Sequence, residues 1–109
     1  MDRHMQHSNL FIKNKYTHWY FDIIFNAGCE NRKKIKRSDP NYIYYEAHHI
    51  IPDAIVKNDD KVLLTAKEHF VCHLLLTKMC ADPNHKRKMI FAFRNMGALL
   101  NRNKKYNPQ

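Results

Sequence analysis

Apolar positions along this chain alternate between a helical period and short strand-like runs, and their order predicts a helix, two strands and two more helices. From Tyr16 the residues Tyr16, Trp19, Tyr20, Ile23, Ile24 and Ala27 step by three and four, the period of one helix face. Gly28 then offers a left-handed stop. Tyr42, Ile43, Tyr44 and Tyr45 form an aromatic run of strand type leading through Glu46 to His48 and His49. Ile50, Ile51 and Pro52 leave that strand, polar Lys57 to Lys61 make a loop, and Val62, Leu63 and Leu64 predict a short second strand. Thr65-Ala-Lys-Glu68 has the Ser/Thr-x-x-Glu form of a capping box and opens a helix, with Phe70 and Leu74, joined by Val71 and Leu75, as its apolar face. Asp82 and Pro83 read as the N-cap and first-turn proline of a last helix, in which Met89, Ile90, Phe93, Met96, Gly97 and Leu100 keep the helical period. Met1 to Asn14 is polar and aperiodic and is expected to be loosely held, and the tail Asn101 to Gln109 is expected to fray.

A length of 109 residues bounds the answer to one small domain. The expected division is a flexible stretch at 1–14, a helix and basic connection at 15–40, a core at 41–80, and a helix with a basic tail at 81–109. A core of this size is marginal alone, so a bound metal could contribute to folding as well as chemistry. The aromatic content of 12% argues against disorder. No apolar run approaches the roughly 20 residues of a membrane helix, and the N-terminus carries no signal-peptide pattern, so a soluble intracellular protein is expected. The three cysteines, Cys29, Cys72 and Cys80, contain no C-x-x-C, which disfavours a disulfide framework and a thiolate zinc knuckle. A mixed site of Cys72, Cys80, His69 and His85 fits no common spacing.

Charge narrows the partner. Lys and Arg outnumber Asp and Glu by 19 to 10, for a formal charge of +9 and a pI near 9.6. Such a balance favours a polyanion, usually nucleic acid. The charge is clustered: Arg32, Lys33, Lys34, Lys36 and Arg37 precede the first strand, and Lys86, Arg87, Lys88, Arg94, Arg102, Lys104 and Lys105 fill the C-terminal third. Both clusters flank the histidines as phosphate-contacting arms would. The aromatic stripe of the first helix reads as core rather than as a base-stacking platform. His4, His7 and His18 read as exposed side chains without a role.

Four histidines carry the candidate chemistry. His69 and His73, four apart, share a helix face with Cβ atoms about 5–6 Å apart, so both can reach one atom. His48 and His49 are strand neighbours that point to opposite sides, so they cannot easily do the same job. A neutral imidazole is a base near physiological pH and a metal ligand. Glu46 reads first as an exposed strand residue and second as a carboxylate orienting a histidine. Glu68 is explained by the capping box.

The segments YEAHHIIP and VLLTAKEHFVCHLLL together resemble the HNH nuclease family, closest to the small bacteriophage HNH and homing endonucleases. The resemblance is close from Tyr45 to Leu76 and looser from Lys15 to Leu100. It implies an α+β fold: a ββα-metal (His-Me finger) core with an N-terminal amphipathic helix and a C-terminal helix packed around it. It also implies a phage-encoded, metal-dependent endonuclease that hydrolyses phosphodiester bonds of double-stranded DNA in the host cytoplasm. On this resemblance His49 is the general base, and His48, His69 and His73 hold one divalent ion. That ion would be Mg²⁺ or Mn²⁺ in catalysis, with Zn²⁺ or Ni²⁺ also able to bind. Arg32, Lys33, Lys34, Lys36, Arg37, Lys86, Arg87 and Lys88 become the DNA-contacting cations.

Two departures stand out. The loop from Asp53 to Asp60 has no glycine, and the family's middle asparagine, nine residues before the first helical histidine, falls on Asp60, with Asn58 two residues away. A non-catalytic, metal-stabilised DNA-binding module derived from such a nuclease is the alternative. An RNA-binding basic protein explains the charge but leaves the four spaced histidines as coincidence.

Overall fold

The computed structural model describes the backbone of residues 8–106 and the side chains of residues 9–97. His4 and His7, the side chains of Leu100, Arg102, Lys104 and Lys105, and the end of the tail lie outside the described residues. Within them the order is a short 3-10 turn at Ser8–Leu10, helix α1 (Lys15–Cys29), strands β1 (Glu46–His49) and β2 (Lys61–Leu64), and helices α2 (Ala66–Met79) and α3 (Pro83–Tyr106). The class is α+β: three helices around one small antiparallel sheet, an arrangement compatible with a ββα core.

The N-terminal segment is not loose where it is described. Ile12 donates its N–H to the Met79 carbonyl (2.8 Å), Ala81 donates to Leu10 (3.0 Å), and Phe11 bridges Cys80. Helix α2 ends here with carbonyls that need partners, and an extended segment supplies them. Asn14 then works in both directions: its Oδ1 accepts from Thr17 N and caps α1, and its Nδ2 donates to Lys78 O.

Helix α1 buries Tyr20, Ile24 and Ala27, the centre of the predicted stripe. Trp19, at its edge, stays 48% exposed and meets Tyr16 edge-on, with Lys15 over both rings. Gly28 lies inside the helix instead of stopping it, and Asn31, at φ 54°, takes the left-handed conformation that short polar side chains tolerate.

The aromatic run Tyr42 to Tyr45 is not strand. β1 begins at Glu46, because β2 offers four residues before Thr65 starts α2, and the register Glu46 to Leu64 through His49 to Lys61 uses all four. With no partner strand, Ile43 and Tyr44 remain more than half exposed.

Thr65 and Glu68 make both bonds of the capping box, as predicted. The face that α2 buries is Cys72, Leu75, Leu76 and Met79, turned from the predicted one. Phe70 instead packs on Phe93 of α3 (centroids 5.2 Å apart), which frees the His69/His73 side to face β1. Asp82 caps α3 through Asn84 N and His85 N, and the helix continues through Tyr106 where fraying was expected.

Arg32 was expected on a phosphate but is a clamp. Its side chain is 7% exposed, pairs with both Glu68 oxygens (2.6 and 3.0 Å), donates to Leu63 O (3.0 Å), and lies over the Tyr45 ring. A bidentate pair in this position locks the basic connection to the end of β2 and the start of α2. The Arg32 hydrogen bonds hold the Glu68 carboxyl below its usual range, outweighing the opposing effect of burial.

Candidate metal centre

β1 and α2 bring three of the four singled-out histidines together. Ring nitrogens of His48, His69 and His73, one from each, lie within 4.8 Å of one another, and this is the group among the described residues that could hold a metal ion. The rings meet edge-on, with centroids 5.1 Å apart for His48 and His69, 5.3 Å for His48 and His73, and 4.7 Å for His69 and His73. His49 is half-buried and lines the same cavity of about 220 Å³ from β1, beside Pro52, Asp53, Ala54, Met89 and Ala92. It stands outside the three-nitrogen group, in keeping with the alternation of a strand.

Second partners orient the rings. Glu46, two residues before His48 on the same strand face, accepts from His69 Nδ1 at 2.8 Å and from the Tyr44 hydroxyl at 2.6 Å. The less favoured reading of Glu46 is therefore the observed one. His69 then carries its proton on Nδ1 and turns the Nε2 lone pair inward. Burial pushes the Glu46 carboxyl up, and the two donors outweigh it, so the group stays below its ordinary value and ionised.

The arrangement fits a cation. His69 Nε2 and His73 Nε2 are 3.1 Å apart. Two nitrogens each about 2.0–2.1 Å from one ion would be about 2.9 Å apart at a right angle and about 3.3 Å apart at a tetrahedral one. Burial, then the neighbouring imidazoles, pushes His48 down to about 3, and burial, then His69, pushes His73 down to about 4. Both rings are neutral at neutral pH, the state in which imidazole binds metal. His73 Nδ1, on the far side of the ring from the Nε2 that meets His69, is buried without a hydrogen-bond partner among the described residues.

The cysteines do not join this group. Burial pushes the Cys72 thiol up to about 12 and Cys80 up to about 11, so both stay protonated, and Cys80 Sγ donates to Leu76 O.

In the loop between the strands, Asn58 does the bridging. Its Nδ2 donates to Ile51 O (3.0 Å) and Val56 O (2.6 Å), and its Oδ1 accepts from Asp60 N (2.9 Å). The Asp60 carbonyl accepts from Ile50 N and extends the ladder beyond His49. Of the two loop residues singled out in the sequence, Asn58 and not Asp60 uses its side-chain amide across the loop. Asn58→Ala is expected to cost about 1–3 kcal/mol, because two carbonyls and one N–H lose their partner, whereas Asp60→Asn keeps the backbone bonds. Urea unfolding of both variants checks this, and an Asn58→Ala midpoint equal to wild type would refute it.

The remaining predicted cations are exposed. Lys33, Lys34, Lys36 and Arg37 lie on the connection after α1, and Lys86, Arg87 and Lys88 on the first turns of α3. Lys88 Nζ reaches Ala54 O at the cavity's edge (3.1 Å).

Sequence comparison gives three relatives from Enterobacteria phage T4. "Probable mobile endonuclease D" is 45% identical over 67 residues, 59% of this chain and 24% of that protein. "Probable mobile endonuclease E" is 38% identical over 81 residues, 72% of this chain and 49% of that protein. "Probable mobile endonuclease B" is 48% identical over 56 residues, 49% of this chain and 20% of that protein. The match thus spans less than half of each relative. No protein-family model matches the chain, and no solved structure matches it.

Proposed function

We propose that this chain is the catalytic core of a metal-dependent DNA endonuclease of HNH type, hydrolysing phosphodiester bonds. The observation that carries the reading is the convergence of His48, His69 and His73 on one point, with His49 beside them in the same cavity. The relatives, named as mobile endonucleases, support it.

Phosphodiester hydrolysis needs an activated water and a counter-charge for the phosphate and leaving oxygen. His48, His69 and His73 would hold one divalent cation, which when bound would supply that counter-charge. His49 is the general base: it borders the cavity without being committed to the cluster, so its ring is free to take a proton from water. Glu46 keeps His69 oriented, and the Asn58 bridge holds the strand end that bears His49.

Supercoiled plasmid incubated with Mg²⁺ or Mn²⁺ should be nicked or linearised, and EDTA should stop it. DNA bound but never cut with any divalent metal would favour the non-catalytic module instead.

The exposed cations define the expected DNA path. Lys34, in the run with Lys33, Lys36 and Arg37, is close enough to act on the Glu46 carboxyl, while α3 lines the cavity and carries Lys86, Arg87 and Lys88. Affinity should fall steeply with salt, and Lys33→Glu with Lys34→Glu should weaken binding to all sequences about equally. Each lost phosphate contact should flatten the log–log salt slope by about one. A salt slope unchanged by these charge reversals would remove this arm from the interface.

A further inference from the structure

We infer that Tyr20 is a positioning residue of the cation site, its hydroxyl fixing His48 in the tautomer that keeps its proton on Nε2 and offers Nδ1 to a divalent cation. The inference rests on the reading of the three-histidine cluster as a cation site.

Tyr20 lies on α1, 28 residues before His48, and is fully buried. Its oxygen is 2.7 Å from His48 Nε2 and 2.6 Å from the carbonyl oxygen of Ile50. A phenol has one proton to give, and a carbonyl can only accept. If the proton went to His48, the phenolic and carbonyl oxygens would face each other at 2.6 Å with nothing between them. The hydroxyl therefore donates to Ile50, and its remaining lone pair must be filled by an N–H from His48 Nε2. Nδ1 is then the ring nitrogen left with a lone pair.

The acceptor is itself fixed. Ile50 is 5% exposed, and its N–H is tied to Asp60 O (3.0 Å), so the carbonyl that sets the direction of the chain cannot easily turn away. The relay from His48 through Tyr20 to Ile50 thus ties α1 to the site in the way that Glu46 ties β1 to His69. The two rings are set in opposite senses: His69 keeps its proton on Nδ1 and presents Nε2, and His48 keeps its proton on Nε2 and presents Nδ1.

Tyr20→Phe tests this, because it keeps the ring that packs in the core and removes the one oxygen in the relay. Long-range ¹H–¹⁵N imidazole spectra of the metal-free wild type should show His48 as the Nε2–H tautomer and His69 as the Nδ1–H tautomer. In Tyr20→Phe the His48 pattern should lose its single-tautomer form while that of His69 is unchanged. Zn²⁺ affinity, titrated without DNA, should fall about 10–100-fold, the usual effect of removing a partner that orients a metal ligand. A purely structural tyrosine would lower the melting temperature and leave both readouts of the folded protein unmoved.

His48 found as Nδ1–H in the wild type overturns the inference, and this measurement decides even if the variant does not fold. Equal Zn²⁺ affinity in a folded Tyr20→Phe overturns it while leaving the cation site standing. Failure of the wild type to bind Zn²⁺ overturns both the inference and the cation site. Failure to cut DNA while Zn²⁺ binding and the tautomers are as stated leaves the inference supported and sinks only the nuclease reading.

Discussion

Replacing His49 with alanine is expected to lower the rate of DNA cleavage by about 10²–10⁴-fold, the usual contribution of a general base, with little change in Zn²⁺ affinity or melting temperature. The separation follows from position. His48 is 4% exposed and belongs to the three-nitrogen cluster, whereas its neighbour His49 is half-buried on the cavity wall, outside that cluster. Removing His49 therefore takes away neither a ligand nor a core contact, and partly exposed substitutions of this kind usually change stability by less than about 0.5 kcal/mol. His48→Ala and His73→Ala should behave in the opposite way, weakening Zn²⁺ binding directly. Single-turnover cleavage and metal titration on the same preparations distinguish the two roles. A His49→Ala protein that cuts at the wild-type rate would dismiss His49 as the base.

The metal-free protein is expected to lose stability as the pH falls from 7 to 5, by about 2 kcal/mol for each of His48 and His73. Burial and neighbouring imidazoles press His48 down to about 3 and His73 down to about 4, against an ordinary value of 6.5. Between 6.5 and those values the unfolded chain takes up protons on these rings and the folded chain does not, so acid favours unfolding. Stability is complete above about pH 6.5, declines through this window, and stops falling on their account once the folded rings protonate near pH 4 and 3. Carboxylates held down in the fold, Glu46 and Glu68, act below their ordinary 4.5, so the loss between pH 7 and 5 belongs to the histidines and the two contributions overlap only in stronger acid.

Saturating Zn²⁺ should raise the midpoint at pH 7 and extend the stable range to lower pH, since bound imidazole must stay deprotonated. Urea midpoints at pH 7, 6 and 5, with and without Zn²⁺, check this. A metal-free midpoint that does not move between pH 7 and 5 would mean that the rings are already charged in the fold.

Elements whose signal is local were legible in the chain. The period of α1, the capping box at Thr65 and Glu68, the Asp82 cap of α3 and the four-residue spacing of His69 and His73 each depend on neighbours within one or two turns, and all are present. Glu46 was legible only as a second reading, behind that of an exposed strand residue, until the fold set its carboxylate 2.8 Å from His69 Nδ1. The basic composition and the histidine spacing were likewise enough to suggest a polyanionic partner and a cation.

Tertiary structure decided everything that depends on distant partners. Tyr42 to Tyr45 have strand propensity, but β2 is too short to pair with them. Arg32 carries a charge like that of its neighbours, but Glu68, 36 positions further along the chain, meets it in the fold and turns a phosphate candidate into a clamp. Asn58 was named only as a neighbour of Asp60, and its hydrogen bonds to Ile51, Val56 and Asp60 make it the residue that bridges the loop. Tyr20 reads as one aromatic among several in a core stripe, and only the approach of α1 to the end of β1 places its hydroxyl between His48 and Ile50. Periodicity found the buried face of α1, where the apolar steps are regular, but not that of α2, where Phe70 turns to Phe93 of α3 instead. It cannot tell which buried atom meets a polar partner, because that depends on how separate elements pack.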